Sequence, residues 1–125
     1  YSRPGDLASN INQIVIKCGF DGVDFDIEDS YSNVPQDFVV QAGSLINTLR
    51  SLNSGLYISL TTPAQAWAPG CYQQSLINLT IGNLSCWQPM EYDIWIDSSN
   101  TYPQQIEWDK KSKELDDKVK SLSKR

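Results

Sequence analysis

Apolar residues recur every three or four positions in some stretches of the chain and every second position in others. Alternation of the two periods predicts helices alternating with strands. Leu7, Ile11, Ile14, Val15 and Cys18 share helical spacing across residues 6–17, with Asp6 placed to cap the start and Gly19 to end it. From Phe20 to Glu28 the period falls to two, with Val23, Phe25 and Ile27 alternating with Asp24, Asp26 and Glu28. A polar loop, 29–33, follows. Pro35 then opens a second helix whose buried stripe is Phe38, Ala42, Leu45, Ile46, Leu49 and Leu52. Asn53-Ser54-Gly55 closes it.

Residues 56–62 read as a second strand halted by Pro63, with Leu56, Ile58 and Leu60 towards the helices and Tyr57, Ser59 and Thr61 on the other face. Strand, helix, strand is a βαβ unit, which predicts a right-handed parallel crossover. A long loop runs from Pro63 to Gln74, and 75–85 read as a short helix or an irregular turn. Met90 to Asp97 read as the third strand, because Pro89 argues against an earlier start. That places Met90, Tyr92, Ile94 and Ile96 on one face, the outward one if helices cover it. If the strand stops near Asp93, Tyr92 turns inward instead. Residues 98–105 are a polar loop, and from Ile106 the chain becomes a charged amphipathic helix with a narrow stripe of Leu115, Val119 and Leu122.

The chemistry is concentrated in Asp24, Asp26 and Glu28. Same-face neighbours on a strand stand roughly 6.5 Å apart, near enough for like charges to interact. Three acids at that spacing favour raising at least one pKa and sharing a proton, as for a general acid tuned by its neighbours. A solvated strand face is the plain alternative, but it calls for cross-strand Lys or Arg. Only Lys17 and Arg50 are basic between Arg3 and Lys110. A calcium loop beginning at Asp24 fails, since its sixth position is Asp29 rather than Gly and its twelfth is Pro35 rather than Glu.

Asp21-Gly22-Val23-Asp24-Phe25-Asp26-Ile27-Glu28 resembles the DGxDxDxE signature of glycoside hydrolase family 18, the chitinases and endo-β-N-acetylglucosaminidases, at every fixed position. The resemblance implies the fourth strand of a (β/α)8 barrel. It implies Glu28 as the acid/base, Asp26 as the partner of the substrate's N-acetyl group, and Asp24 as the carboxyl sharing a proton with Asp26. The nucleophile is then the substrate's own acetamido oxygen, a substrate-assisted retaining mechanism. Met90-x-Tyr92-Asp93 resembles the family's sixth-strand motif, which makes Tyr92 and Asp93 substrate-binding candidates alongside Asp21. Tyr31 and Trp67 are candidates for stacking on a sugar ring, Trp67 together with Tyr72, although aromatics at these places equally serve as surface or rim packing.

Length changes this picture. A complete barrel needs about 250 residues, and the chain has 125, beginning at Tyr1 without Met. The expectation is an α/β chain forming part of a (β/α)8 barrel, about the third helix to the sixth strand over 1–109, with a charged helix over 110–125. The rival is a flavodoxin-like domain that reached the motif by chance. Functional alternatives to the hydrolase are a chitinase-like protein that binds sugar without cutting it, or an inactive piece of the enzyme. An intact Glu28 favours the hydrolase over the binder.

Charge and cysteine usage narrow the partners. Residues 1–109 hold 3 basic and 12 acidic groups, and residues 110–125 hold 7 basic and 3 acidic. An acidic body disfavours nucleic acid, and no run of about 18 apolar residues is present to span a membrane. With no histidine, His-based triads and His-ligated metals are excluded, and neither metal nor cofactor is expected. The expected partner is chitin or another polysaccharide containing N-acetylglucosamine. Two glycosylation triplets, Asn78-Leu79-Thr80 and Asn83-Leu84-Ser85, are compatible with a secreted protein. Of the three cysteines, Cys71 and Cys86 are the candidate disulfide.

Overall fold

The structure, a computed structural model, describes residues 3–28, 36–63, 72–90 and 102–123. Among these, four helices alternate with three strands: α1 (Pro4–Cys18), β1 (Gly22–Asp26), α2 (Gln36–Leu52), β2 (Tyr57–Pro63), α3 (Tyr72–Thr80), β3 (Cys86–Met90) and α4 (Tyr102–Ser123). The strands form one parallel sheet in the order β1-β2-β3, with Asp24 opposite Ser59, Asp26 opposite Thr61, and Thr61 in turn opposite Gln88. The chain is thus a mixed α/β protein.

Local chemistry explains most boundaries. Pro4 at the first helical position starts α1, earlier than Asp6, which sits inside the first turn 3.6 Å from Arg3 instead of capping it. Gly19 ends the helix in the left-handed conformation (φ 70°), its N–H bonded to the Val15 carbonyl. The buried residues of α1 are Ala8 and Val15, whereas Ile14 and Cys18 of the expected stripe are exposed. In α2 the helix interior holds Val39, Ile46 and Leu49, and Phe38 and Leu52 lie towards water. A Cβ on Gly22 would stand 2.7 Å from the Tyr57 carbonyl oxygen, so glycine is what lets β1 approach β2.

One side of the sheet is covered by α1, α2 and α3. Val23, Phe25 and Ile27 of the β1 segment, Ile58 and Leu60 of β2, and Trp87 of β3 join Val15, Ile46, Leu49, Leu76 and Ile77 in a single core cluster. Within it Trp87 donates its indole N–H to Thr62 Oγ1 at 3.0 Å, satisfying two buried polar groups at once. α1 packs on α2 and α2 on α3, while α4 packs on β3 and adds Leu115 and Val119 to the cluster.

Three expectations are corrected. A strand runs over 86–90, before the expected start at Met90, and Pro89 is inside it; residues 91–97 of the expected strand lie outside the described residues. Among the described residues β3 is at the sheet edge, where alternate N–H groups have no ladder partner and proline is accommodated. Register puts Met90 opposite Pro63, on the face of Thr61 and Asp26 rather than the outward face. Finally, α3 begins at Tyr72 within the expected loop, and α4 begins at Tyr102, so residues 102–105 are helical.

At the amino-terminal end of β2 and β3, Arg50 ties the connections together. Its guanidinium donates to the carbonyls of Asn83 (3.0 Å), Ser54 (2.9 Å) and Leu56 (2.6 Å) and to Ser85 Oγ (3.0 Å). Charge-assisted donation to four acceptors fixes both loops. Burial lowers the guanidinium pKa from its ordinary value.

Candidate functional site

The face away from the core is built by alternation. Because Val23, Phe25 and Ile27 pack inward, Asp24, Asp26 and Glu28 emerge on the opposite side of the same segment, and all three are exposed. The ladder to β2 continues past the strand end, with Ile27 N–H bonded to the Thr61 carbonyl at 3.0 Å. Glu28 follows directly, two residues beyond Asp26 at the carboxyl-terminal end of β1.

Asp24 is held by hydroxyls rather than by a cation. Ser59 Oγ donates to its Oδ1 at 2.6 Å, and Thr61 Oγ1 is 3.1 Å from both carboxylate oxygens. Ser59 is only 4% exposed, so this contact is largely shielded from competing water. The cross-strand Lys or Arg that a merely solvated acidic face calls for is not on β2, whose side chains opposite Asp24 and Asp26 are Ser59 and Thr61. Alternation had placed Ser59 and Thr61 on this face; their role as Asp24 donors was invisible until register was known.

Further along the same face, Tyr57 and Cys86 occupy the amino-terminal end. A hydrogen bond to Cys86 raises the Tyr57 phenol above its ordinary value of 10.0, with burial, Cys86 and Asp116 of α4 adding to the shift. Cys86 is a free thiol here, and its expected partner Cys71 lies outside the described residues. Gln88 and Met90 continue the face on β3, the first exposed and the second buried.

The remaining candidates fare differently. Asp21 precedes β1 and offers its backbone carbonyl to Tyr57 N–H at 2.9 Å. At the extended rise it lies roughly 23 Å from Glu28, so the fold does not bring the two together. Tyr72 is buried in α3, its ring edge-on to Phe38 with centroids 5.8 Å apart, which removes it from a sugar platform. Tyr31, Trp67, Tyr92 and Asp93 lie outside the described residues, as does Cys71. Among the described residues no group of three or more His, Cys, Asp or Glu is arranged to hold a metal, and no helix is long and apolar enough to cross a membrane.

Fold and site together define an α/β protein whose parallel sheet presents a row of carboxylates along one strand. Compared with protein-family models, with curated proteins and with solved structures, the chain has no match.

Proposed function

We propose that the chain is a sector of a (β/α)8 barrel of the glycoside hydrolase family 18 type, and that it contributes to cleaving β-1,4-linked N-acetylglucosamine polymers outside the cell. The observation that carries this reading is the acid row Asp24, Asp26, Glu28 on the face opposite the helix-packed core, rising to the carboxyl-terminal end of a parallel strand. Barrel enzymes build their sites at that end. Consecutive strand order with α1, α2 and α3 packed in series also suits a barrel sector.

In this reading Glu28, as the carboxylic acid, gives its proton to the glycosidic oxygen while the C1–O bond breaks. The acetamido oxygen of the same sugar closes on C1, with Asp26 accepting from the acetamido N–H and Asp24 sharing a proton with Asp26. Water then adds at C1 as the bond to the acetamido oxygen breaks, and the Glu28 carboxylate takes the water's proton, so configuration at C1 is retained. Ser59 and Thr61 fix Asp24 beside Asp26. Tyr92 and Asp93 are assigned to substrate binding on their motif alone, and Tyr31 and Trp67 to sugar stacking. No metal or cofactor takes part in these steps.

The test is Glu28→Gln in the intact polypeptide, assayed with a chromogenic chito-oligosaccharide. Turnover should fall at least about 100-fold, the usual scale of lost general acid catalysis, while oligosaccharide binding by calorimetry stays close to the parent. Unchanged turnover refutes the assignment.

A further inference from the structure

We propose that Asn78 is an N-glycan acceptor and that Asn83, in the second triplet of the same kind, is not. Both Asn78-Leu79-Thr80 and Asn83-Leu84-Ser85 carry the hydroxyl residue two positions on that an acceptor asparagine requires. Sequence alone does not separate them; the fold treats them oppositely.

Asn78 lies in the last turns of α3, and its side chain is exposed, as is that of Leu79 beside it. The rest of that helix turn, Leu76, Ile77 and Thr80, is buried, so Asn78 projects from the outer side of α3. Thr80 is buried and its hydroxyl donates to the Leu76 carbonyl at 2.8 Å, so the hydroxyl member is engaged in both triplets and the contrast lies at the asparagines. α3 belongs to the helix layer and packs on α2, so a glycan at Asn78 stands away from the face bearing Asp24 and Asp26.

Asn83 is tied down at three atoms. Its backbone N–H donates to the Thr80 carbonyl at 2.8 Å, its carbonyl accepts from Arg50 Nε at 3.0 Å, and its side-chain Nδ2 donates to Asn47 Oδ1 at 2.8 Å. Nδ2 is the atom that a glycan must occupy. Ser85, the hydroxyl member of this triplet, is also engaged, accepting from Arg50 Nη2 at 3.0 Å and from Ile58 N–H at 3.1 Å. A sugar on Asn83 Nδ2 would crowd Asn47, beside the Arg50 clamp that closes the ends of β2 and β3.

The modification is a group transfer from a lipid-linked diphosphate oligosaccharide. The bond from sugar C1 to the diphosphate oxygen breaks, the C1–Nδ2 bond forms, Nδ2 loses one proton, and the lipid diphosphate departs. Asn78 Nδ2 is the acceptor of this exchange, and the proposal holds whether or not the acid row is catalytic.

The experiment secretes the intact polypeptide from a eukaryotic host and releases glycans with an amidase in heavy-oxygen water, so that each occupied asparagine becomes a labelled aspartate. Peptide mass spectrometry should find the label at Asn78 and not at Asn83. Asn78→Gln should abolish the glycan-dependent gel shift, and Asn83→Gln should leave it in place. An unoccupied Asn78, or Asn83 occupied to a comparable extent, overturns the proposal. The labelled peptides come from the unsubstituted protein, so the outcome does not depend on either variant folding.

Discussion

On the helix side of the sheet Ile58, Leu60 and Trp87 are shut off from water, whereas on the other face Asp24, Asp26 and Gln88 are exposed, although Ser59 and Met90 there are buried. The two faces share one backbone and one register, so their difference is a matter of side chains and of what covers them. The covered face is where burying apolar surface holds the fold together, at roughly 25 cal/mol per Å². On the acid face Asp24 is fixed by short cross-strand contacts from Ser59 and Thr61. Substitutions on the first should cost stability, and substitutions on the second should cost function.

The hardest blow to that division should come from Trp87→Ala. It removes a 2% exposed indole and leaves Thr62 Oγ1 without its donor, and about 3–5 kcal/mol of unfolding free energy should be lost. Urea unfolding followed by circular dichroism measures this; a loss under 1 kcal/mol, or about a fifth of that range, means the helix side does not carry the fold. Gly22→Ala comes next. The added methyl meets the Tyr57 backbone, so about 1–3 kcal/mol should be lost as β1 and β2 are pushed apart.

Glu28→Gln sharpens the contrast from the other side. Stability should stay within about 0.5 kcal/mol of the parent, as for exposed sites generally, although turnover collapses. A large loss of stability in this variant erases the proposed separation of roles. The smallest effect concerns Tyr57, whose folded pKa is raised, chiefly by its hydrogen bond to Cys86. A raised folded value means that the native state holds the phenolic proton more tightly than the unfolded chain. Its contribution is therefore complete below the ordinary value of 10.0 and lost as pH rises through the folded one. Tyr57→Phe should flatten the alkaline fall in stability, read from unfolding midpoints between neutral and strongly alkaline pH.

Much of the fold was legible because period is a local property. Alternation at Val23, Phe25 and Ile27 marked β1, and it also sorted Ile58 and Leu60 from Ser59 and Thr61 on β2. The strand over 86–90 was missed because Pro89 was weighed as a ladder breaker, a rule that assumes neighbours on both sides. Sequence alone leaves Tyr72 open between stacking on a sugar and packing, because an aromatic residue after a strand looks the same in sequence whether it meets Phe38 or a ligand; the structure packs it against Phe38.

What the order of residues determined without help is the acid row itself: three carboxylates at every second position on an extended segment must share a side, whatever surrounds them. Which hydroxyls meet Asp24, and that Asn83 is clamped while Asn78 is exposed, were decided only by tertiary structure. The physical reason is range. Side-chain alternation is set by the pleat of a single strand, whereas hydrogen-bond partners such as Ser59 and Asp24, 35 residues apart, exist only once register brings two strands together.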